Sequence, residues 1–437
     1  MRRRTFWLIL AALAAVRLAL MATVPVFEPS EARYAAISAN MARSGDFVVP
    51  HFTHNFEYQS FDGKPPLVFQ AGGLFCRAFG VCEFAVRLFP FLSAVLLLLI
   101  LYRSVRRASD AATGRLAVVV CATCTAFYAA AGISMTDMTL TCCVAGALLL
   151  YRCFLDGFAL RHAAGVAALL GAGMIAKGPV SLVMFGLPVL ADAVVRRRWR
   201  GIFNAKWLAV APVFLLVAVP WFVLVEQRNP GSVWYFFYNE NFLRFVSHDY
   251  GDKYGAGREA FRGVSVLWML VATLPWALLP LWRLAVRGYE TARSRRFDRS
   301  LLRFFDFHFL ALLAIVGFWC LTSRVLLYYL FPVIPLFAAW LTLTFGRGRL
   351  ERRAVPCAVL TALVTVGALV GGMFFSDKMQ GAKTEFSHKG NRYACEFYHG
   401  RKSDAELAPL RREWESRQKL RAERKAARAA AKAEGRK

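Results

Sequence analysis

Long apolar segments recur along this chain and are separated by short polar stretches. A membrane-spanning helix needs about 20 mainly apolar residues. The first such segment follows Met1-Arg2-Arg3-Arg4 and runs to about residue 26. A signal peptide also has a basic start before an apolar run, but no small-residue cleavage site follows here, so we interpret the segment as a transmembrane helix. Further helices are predicted near residues 84–101, 116–131, 138–155, 162–176, 178–195, 207–225, 263–282, 307–322, 325–345 and 354–375. The pattern predicts an all-α polytopic membrane protein with about eleven transmembrane helices.

The basic residues between these segments predict the side of the membrane on which each connection lies. Lys and Arg are enriched in cytoplasmic loops. If the N-terminus is cytoplasmic, alternate crossings place the following basic stretches on that side: Arg103–Arg115, Arg152–Arg161, Arg196–Lys206, Arg283–Arg303 and Arg347–Arg353. This agreement favours multi-pass insertion into the bacterial inner membrane, with the other loops facing the periplasm.

Two predicted outer loops, residues 27–83 and 226–262, are too long to be turns. Both combine aromatic and charged residues, which favours amphipathic segments at the bilayer interface. The apolar stretch Phe69–Phe79 is predicted to be a helix parallel to the membrane. We interpret residues 1–375 as one transmembrane domain and residues 376–437 as a basic, polar and helical tail. An odd number of crossings would place this tail outside, and one miscounted helix would reverse that prediction.

The composition agrees with a membrane protein and changes the meaning of the net charge. Of 437 residues, 57% are hydrophobic and 19% are charged, and the formal net charge is +27. In a soluble protein such a charge would suggest a nucleic-acid ligand. Here the basic residues lie mostly between apolar segments, so we expect membrane lipids and no nucleic acid as partners.

The cysteines do not form an obvious disulfide framework. Most lie within apolar stretches, where cysteine behaves as a small hydrophobic residue. Cys121 and Cys124 have the spacing of a redox motif but no βαβ pattern surrounds them. Cys76 and Cys82 flank an outer-face segment and could pair in an oxidising periplasm, so their state stays open.

Ionisable residues at the predicted outer ends of helices are candidate functional groups, because charge near a bilayer is costly. Glu31 lies in the first turn of a predicted short helix, where an acid can also simply compensate the helix dipole. Lys64 lies in a Pro-Pro turn, where it could meet a lipid phosphate or snorkel to the interface. Asp137 opens the fourth transmembrane helix, where an acid can also simply cap the helix electrostatically. Lys177 lies in a tight outer turn, against the usual charge distribution, which suggests an anionic ligand, although this lysine could also snorkel to the interface.

Additional outer-face candidates are Asp62, Glu240, Arg244 and Arg324. The four-residue spacing of Glu240 and Arg244 predicts an ion pair within an interfacial helix. The spacing of His51, His54 and Glu57 could ligate a metal, but no helical pattern places the three on one face, so a divalent metal is a weak hypothesis. No phosphate-loop, dinucleotide-binding or nucleophile-elbow motif is present, and no nucleotide cofactor is expected.

Several motifs together resemble one known superfamily. They are PSEARYAAISANMARSGDFVVPHF, FDGKPPLVF, the Asp that opens the fourth helix, AKGPV, YFFYNENFLRF, LPWALLP and SRVLLYYLFPVIP, in this order over about residues 5–345. The chain is similar to the superfamily of protein O-mannosyltransferases and aminoarabinose (lipid A) transferases, which are phospholipid carrier-dependent membrane glycosyltransferases. The resemblance implies a GT-C fold in which the first outer loop, with its juxtamembrane helix, builds a periplasmic active site.

The resemblance also implies roles for individual residues. Arg33, Tyr34 and Lys64 would bind the carrier phosphate, and Glu31 and Asp137 would be acidic active-site residues. The chain departs from the pattern at two places. It has Ser30-Glu31 where many relatives have Asp-Glu, and it has Gly63 where aminoarabinose transferases have Glu. These departures leave the identity of the sugar and any family-type metal site open.

The residues and the resemblance together predict an inverting glycosyltransferase. The donor would be a polyprenyl-phosphate sugar, and the acceptor would be lipid A, another glycan or a protein. Glu31 as first choice, or Asp137 as second, would take the acceptor's proton. The sugar phosphate is already activated, so no cofactor is required. The alternatives are a multi-pass transporter or lipid flippase, disfavoured by the absence of midplane charges and of repeats, and an inactive assembly partner.

Overall fold

Helices form nearly all of the secondary structure that the computed structural model describes. The described residues are 1–54, 56–243, 254, 260–294, 305–322, 324–375, 392–403 and most positions from 405 to 423; for 287–294, 374, 375 and 392 only the backbone is described. Arg244 lies outside them.

The helices, in chain order, are α1 (Arg3–Thr23), α2 (Ser30–Ser44), α3 (Leu67–Phe79), α4 (Glu83–Ala108), α5 (Ala111–Ala122), α6 (Thr125–Ala130), α7 (Thr136–Leu155), α8 (Leu160–Lys177), α9 (Val180–Arg196), α10 (Lys206–Arg228), α11 (Ser232–Trp234), α12 (Val264–Ala272), α13 (Leu278–Ser294), α14 (Phe307–Cys320), α15 (Val333–Thr344), α16 (Arg347–Phe375) and α17 (Arg392–His399). Short 3-10 helices cover Trp199–Gly201 and Leu327–Leu330, and a π-helix covers Tyr235–Leu243. Strands β1 (His51–His54) and β2 (Glu57–Ser60) form an antiparallel hairpin.

The predicted all-α membrane architecture is confirmed, with differences in detail. Among the described residues, five helices are long and apolar enough to cross a membrane, namely α1, α4, α7, α10 and α16. Every predicted segment coincides with helical structure, but the prediction of continuous helices is wrong for 116–131, 263–282 and 325–345, which are interrupted. The total of eleven crossings stays a prediction.

Two of these interruptions face each other in the core and satisfy each other's polar groups. The indole of Trp276 donates to Thr123 Oγ1 at 2.8 Å, and the backbone N–H of Thr125 donates to the Leu274 carbonyl at 3.0 Å. Thr361 Oγ1 donates to the Thr123 carbonyl at 2.7 Å. Buried backbone groups need partners away from water, and these bonds provide them. Both helical segments can therefore be interrupted here, because the polar groups of each interruption bond to those of the other.

Contacts between the basic connections agree with the predicted sidedness. The amino group of Met1 pairs with Glu351. Arg347 lies 3.5 Å from Asp110, and Arg107 lies 3.9 Å from Asp156. These connections from distant parts of the sequence therefore share one face of the bundle.

The opposite face carries residues 24–82, and we call it the loop face. Helix α3 was predicted as Phe69–Phe79 and begins two residues earlier, after Pro65-Pro66. It packs on α2 through glycines: a Cβ at Gly72 would lie 2.6 Å from Ser38 Oγ, and one at Gly73 would lie 3.0 Å from the Ser38 carbonyl oxygen. The hairpin of β1 and β2 also packs on α2. The loop thus has an apolar core of its own, including Phe52 and Phe69, apart from the core of the bundle.

The cysteine pair in this loop is not bonded. Cys76 and Cys82 are free thiols, like the other cysteines of the chain. Cys76 is only 3% exposed, and its burial raises the pKa of its thiol to about 12. The possible disulfide is therefore not formed, and Cys76 instead packs in the loop core.

The second predicted outer loop differs from an ordinary interfacial helix. Helix α10 continues to Arg228, and Tyr235–Leu243 follows as a π-helix, which brings residues five apart into register. Accordingly, the hydroxyl of Tyr235 donates to Glu240 at 3.4 Å. The predicted ion pair of Glu240 with Arg244 falls partly outside the described residues. Within the described residues, Glu240 approaches Lys64 from the first loop, at 3.6 Å.

Residues 392–399 of the C-terminal tail do not form a separate, solvated segment. Helix α17 packs against α2 and the hairpin, and its residues Tyr393, Ala394 and Phe397 belong to the loop core. Residues 392–399 therefore lie on the loop face, which is the side that an odd number of crossings implies.

Candidate active site

Glu31 is fully buried and its carboxylate is saturated with hydrogen bonds. Oε1 accepts from Arg87 Nε at 2.8 Å and from the Ser134 backbone N–H at 3.0 Å. Oε2 accepts from Arg87 Nη2 at 3.0 Å and from the Phe27 backbone N–H at 3.3 Å. Arg87 also donates to carbonyl groups of residues 21–25 at the end of α1. The pair therefore joins α1, α2, α4 and the start of α7 at one point.

Asp137 and Lys177 form a second ion pair near the cavity. Lys177 Nζ donates to Asp137 Oδ1 and lies 4.7 Å from the ring centroid of Tyr329 and 5.6 Å from that of Tyr328. Asp137 stands in the first turn of α7 and Lys177 ends α8, so each charge suits its helix dipole. The second carboxylate oxygen of Asp137 accepts no hydrogen bond from the described part of the chain. Unlike Glu31, Asp137 thus keeps one oxygen for another partner.

The chain turns sharply after Lys177 because Gly178 has a φ of +91°, which favours glycine. A Cβ at this position would also lie 2.4 Å from the ring of Phe236. The turn therefore brings the π-helix of the second loop directly over the end of α8.

Lys64, Lys177, Glu240 and Arg324 line one small cavity, together with Tyr329 and Trp319. Its volume is about 60 Å³. Lys64 Nζ donates to the carbonyl of Gly63 at 2.7 Å. The cavity lies where the first loop, the second loop and the bundle meet. Three of the cations that sequence analysis singled out therefore converge on one place.

Arg33 and Tyr34 lie beside this cluster on α2. The Arg33 guanidinium carbon is 5.4 Å from the ring centroids of Tyr34 and Phe61 and 5.9 Å from that of Tyr393. Its Nη1 donates to the Tyr254 carbonyl at 3.4 Å, while its Nε has no partner within the described residues. Such an aromatic surround holds a cation without neutralising it.

The hydroxyl of Tyr34 faces charges of both signs. Burial raises the pKa of Tyr34, and the nearby Asp137 carboxylate adds to this effect, whereas Arg33 and Lys177 oppose it. The phenol therefore stays protonated at neutral pH and can donate a hydrogen bond to an anion.

Asp62 joins the two loops instead of facing the cavity. Its Oδ1 accepts from Asn229 Nδ2 and Ser232 Oγ, both at 3.0 Å, and its backbone N–H donates to the Tyr254 hydroxyl at 3.0 Å. Asp62 is thereby well placed to fix the turn that carries Lys64.

Comparisons with known proteins find relatives of part of this chain. Residues 63–223, which include Lys64, Asp137 and Lys177, match the dolichyl-phosphate-mannose-protein mannosyltransferase family. The undecaprenyl phosphate-alpha-4-amino-4-deoxy-L-arabinose arabinosyl transferase of Edwardsiella ictaluri is 30% identical over 261 residues, covering 58% of this chain and 45% of that protein. The protein of the same name from Pectobacterium atrosepticum is 27% identical over 326 residues, covering 72% and 55%. The chain thus spans about half the length of these curated relatives.

The fold is shared with solved structures of ArnT from Cupriavidus metallidurans. The structure bound to undecaprenyl phosphate matches with a TM-score of 0.63 and 21% identity, covering 90% of this chain and 75% of that one. The apo structure matches with a TM-score of 0.66 and 22% identity, covering 86% and 67%. The chain is therefore similar in sequence, over part of its length, to protein mannosyltransferases and to aminoarabinose transferases. Its predicted GT-C fold is confirmed by these matches.

The hypothesis of a divalent metal site at His51, His54 and Glu57 is not supported by the geometry. Among the described residues, no three His, Cys, Asp or Glu side chains lie together as a metal-binding group. Side chains alternate along a strand, so His51 and His54 point to opposite faces of the hairpin. His54 Nδ1 is 2.9 Å from the Tyr393 hydroxyl, and Glu57 pairs with Arg411 at 3.1 Å. The three predicted ligands therefore do not converge.

Sequence reasoning missed several residues in and around this candidate site. Arg87 was not singled out, although a lone arginine early in an apolar helix was a usable signal. Tyr328 and Tyr329 lay within a recognised motif but had no role assigned. Glu28 and Glu396, which lie more than 360 residues apart, gave no sequence signal for their shared position on the loop face.

Proposed function

We propose that this protein transfers a sugar from a polyprenyl-phosphate carrier to an acceptor such as lipid A, another glycan or a protein. One observation carries the proposal: Lys64, Lys177 and Arg324 converge on a single cavity. Beside it lies the Asp137 carboxylate, one of whose oxygens accepts no hydrogen bond from the described residues. With Glu240 and Asp137 included, the cluster has three cations and two acids, a net charge of +1. The names of the relatives support a polyprenyl-phosphate donor.

The cations would act on the leaving group. As the acceptor hydroxyl attacks, the bond from the anomeric carbon to the phosphate oxygen breaks and its electron pair stays on the phosphate. Ammonium and guanidinium groups that tighten on this oxygen in the transition state lower the barrier. Loss of one such contact costs about 3 kcal/mol, or on the order of a hundredfold in rate. The displacement inverts the anomeric centre.

Asp137 is the better placed proton acceptor. A general base must reach the proton it removes, and Asp137 keeps one oxygen without a described donor. Glu31 has four hydrogen bonds on its two oxygens and would have to break some of them. We therefore propose that Asp137 takes the acceptor's proton and that Glu31, the first choice from sequence, positions α2 against α7.

The loop face would be the periplasmic face of the bacterial inner membrane. The basic connections share the opposite face, as expected for the cytoplasmic side. The carrier phosphate would lie at headgroup depth, next to α3 and Lys64, with its chain in the bilayer.

The experiment is transfer of radiolabelled sugar from defined polyprenyl-phosphate donors to membrane acceptors by the purified full-length protein. We expect Lys64→Ala and Asp137→Asn to lose transfer by about a hundredfold or more. Matched controls are Lys206→Ala and Asp156→Asn, which change the same residue types at exposed or half-exposed sites on the opposite face. These controls should retain transfer.

Two results would overturn the proposal. One is full transfer by Lys64→Ala and Asp137→Asn proteins. The other is no transfer by the unaltered protein from any donor, together with movement of the carrier lipid across liposome membranes, which would identify a flippase.

A further inference from the structure

Helix α17 is held at both ends by residues of the first loop. Glu28 Oε1 accepts from the backbone N–H groups of Tyr393 at 2.6 Å and Ala394 at 2.8 Å, at the start of the helix. Arg43 donates to the carbonyls of Glu396 at 3.2 Å and Phe397 at 2.8 Å, near its end. The acid at the N-terminus and the base at the C-terminus match the helix dipole and satisfy groups that have no intrahelical partner.

The face of α17 that contacts α2 carries a buried acid with defined hydrogen-bond partners. Glu396 is 4% exposed and accepts from Asn40 Nδ2 at 2.7 Å and from the Thr53 backbone N–H at 3.0 Å. Phe397 beside it is fully buried. A buried carboxylate with fitted donors is costly to misplace, so this contact selects one docked position.

The last turn of α17 reaches the bundle. The hydroxyl of Tyr398 donates to Glu83 Oε1 at 3.0 Å and accepts from the Val26 backbone N–H at 3.1 Å. Val26 follows α1 and Glu83 begins α4, so both ends of the first loop are tied to the same side chain.

The first turn of α17 reaches the candidate active site. The Tyr393 ring centroid lies 5.9 Å from the Arg33 guanidinium carbon, and its hydroxyl is 2.9 Å from His54 Nδ1. Arg33 precedes Tyr34, and the charges of Asp137 and Lys177 act electrostatically on the Tyr34 phenol. Tyr393 therefore contacts Arg33, which is one of the proposed phosphate ligands.

We propose that residues 392–399 clamp the first loop onto the bundle and that Tyr393 is a positioning residue that orients Arg33 toward the carrier phosphate. The proposal rests on the proposed function for the role of Arg33, but the clamp itself does not. The loop core is small, and α17 supplies three of its buried residues, which are Tyr393, Ala394 and Phe397. A distant part of the chain therefore completes the site.

The positioning role is tested with a double-mutant cycle in the full-length protein. We expect Tyr393→Ala to raise the KM for the donor about tenfold with a smaller change in kcat. Arg33→Ala should do the same, and the two changes together should be less than additive. Tyr393→Phe keeps the ring over Arg33 and should keep the KM. An unchanged KM in Tyr393→Ala, or additive effects in the cycle, would overturn the positioning role.

The clamp is tested without any activity measurement, by amide hydrogen exchange. We expect Phe397→Ala to speed exchange across residues 26–60, whereas Arg412→Ala, at an exposed site in the tail, should not. Unchanged protection of residues 26–60 in Phe397→Ala would overturn the clamp, whether or not the protein transfers a sugar. Failure of the transfer assay alone would bear only on the proposed function.

Discussion

The ion pairs Glu31–Arg87 and Asp137–Lys177 on the loop face differ in how many hydrogen bonds their carboxylates accept from the described residues. Glu31 and Arg87 are both almost fully buried, at 0% and 2% exposure, and they bond mainly to each other and to backbone groups. Breaking a buried pair by removing one partner leaves a buried charge uncompensated, which typically costs about 3–5 kcal/mol. The second carboxylate oxygen of Asp137, by contrast, accepts no hydrogen bond from the described residues. The surroundings of the two acids therefore favour a structural role for Glu31.

This difference predicts the effect of Arg87→Met. We expect a loss of folding stability of about 3–5 kcal/mol, measured as a large fall in thermal unfolding temperature in detergent. Adding Glu31→Gln should recover part of that loss, because the buried carboxylate no longer lacks a counter-charge. A Glu31→Gln protein of normal stability that has lost all transfer would contradict this reading and restore Glu31 as the base.

Helix α17 shows how a short element depends on a buried acid. Burial raises the pKa of Glu396, although hydrogen bonds from Asn40 and Thr53 and the charge of Arg43 oppose this. The folded state then holds this proton more tightly than the unfolded state does. The contribution of Glu396 to docking is therefore complete below its ordinary pKa of 4.5 and is lost as pH rises through the raised value.

Docking of α17 should consequently weaken with rising pH. Amide exchange of residues 392–399, corrected for intrinsic rates, should be faster at about pH 8 than at about pH 5. Glu396→Gln mimics the protonated acid and should remove this difference. Stronger protection at the higher pH in the unaltered protein would show that the sign is wrong.

Other elements depend on their neighbours in the same way. The chain between α5 and α6 and the chain between α12 and α13 interrupt apolar runs that look continuous in the sequence. A hydropathy profile sums the apolar character of neighbouring residues, so it cannot show that Trp276 donates a hydrogen bond to Thr123. The π-helix of the second loop is a similar case, since its five-residue register places Glu240 beside Tyr235.

At the scale of the whole molecule, the position of α17 predicts the side of the membrane on which the C-terminal tail lies. Residues 392–399 pack on the loop face, whereas Met1 lies on the opposite face. The two termini should therefore lie on opposite sides of the membrane.

Reporter fusions measure this arrangement directly. Alkaline phosphatase fused after residue 437 should be active in cells, and green fluorescent protein fused there should be dark. Green fluorescent protein fused before residue 1 should be bright and serves as the control. A bright C-terminal fusion would place the tail in the cytoplasm and rule out the docked α17 in the membrane-inserted protein.

The sequence alone determined the fold class of the protein and indicated many residues of the candidate site. Long apolar segments and basic connections specify a polytopic helical bundle. The apolar length of each segment and the charge of its flanking loops decide locally whether and in which direction it crosses the bilayer. Lys64, Asp137 and Lys177 were likewise visible, since charge at a helix end near the membrane is costly without a function. Motifs in register supplied the resemblance to a known superfamily.

Only the tertiary structure decided how these residues are used. It gave Glu31 a buried partner in Arg87, brought Glu240 to Lys64, and separated the predicted metal ligands. It also placed Tyr393 and Glu396 against a loop more than 300 residues earlier in the chain. Each of these outcomes depends on contacts between segments distant in sequence. Periodicity, composition and spacing describe neighbours along the chain, so they cannot specify which distant side chains become neighbours in space.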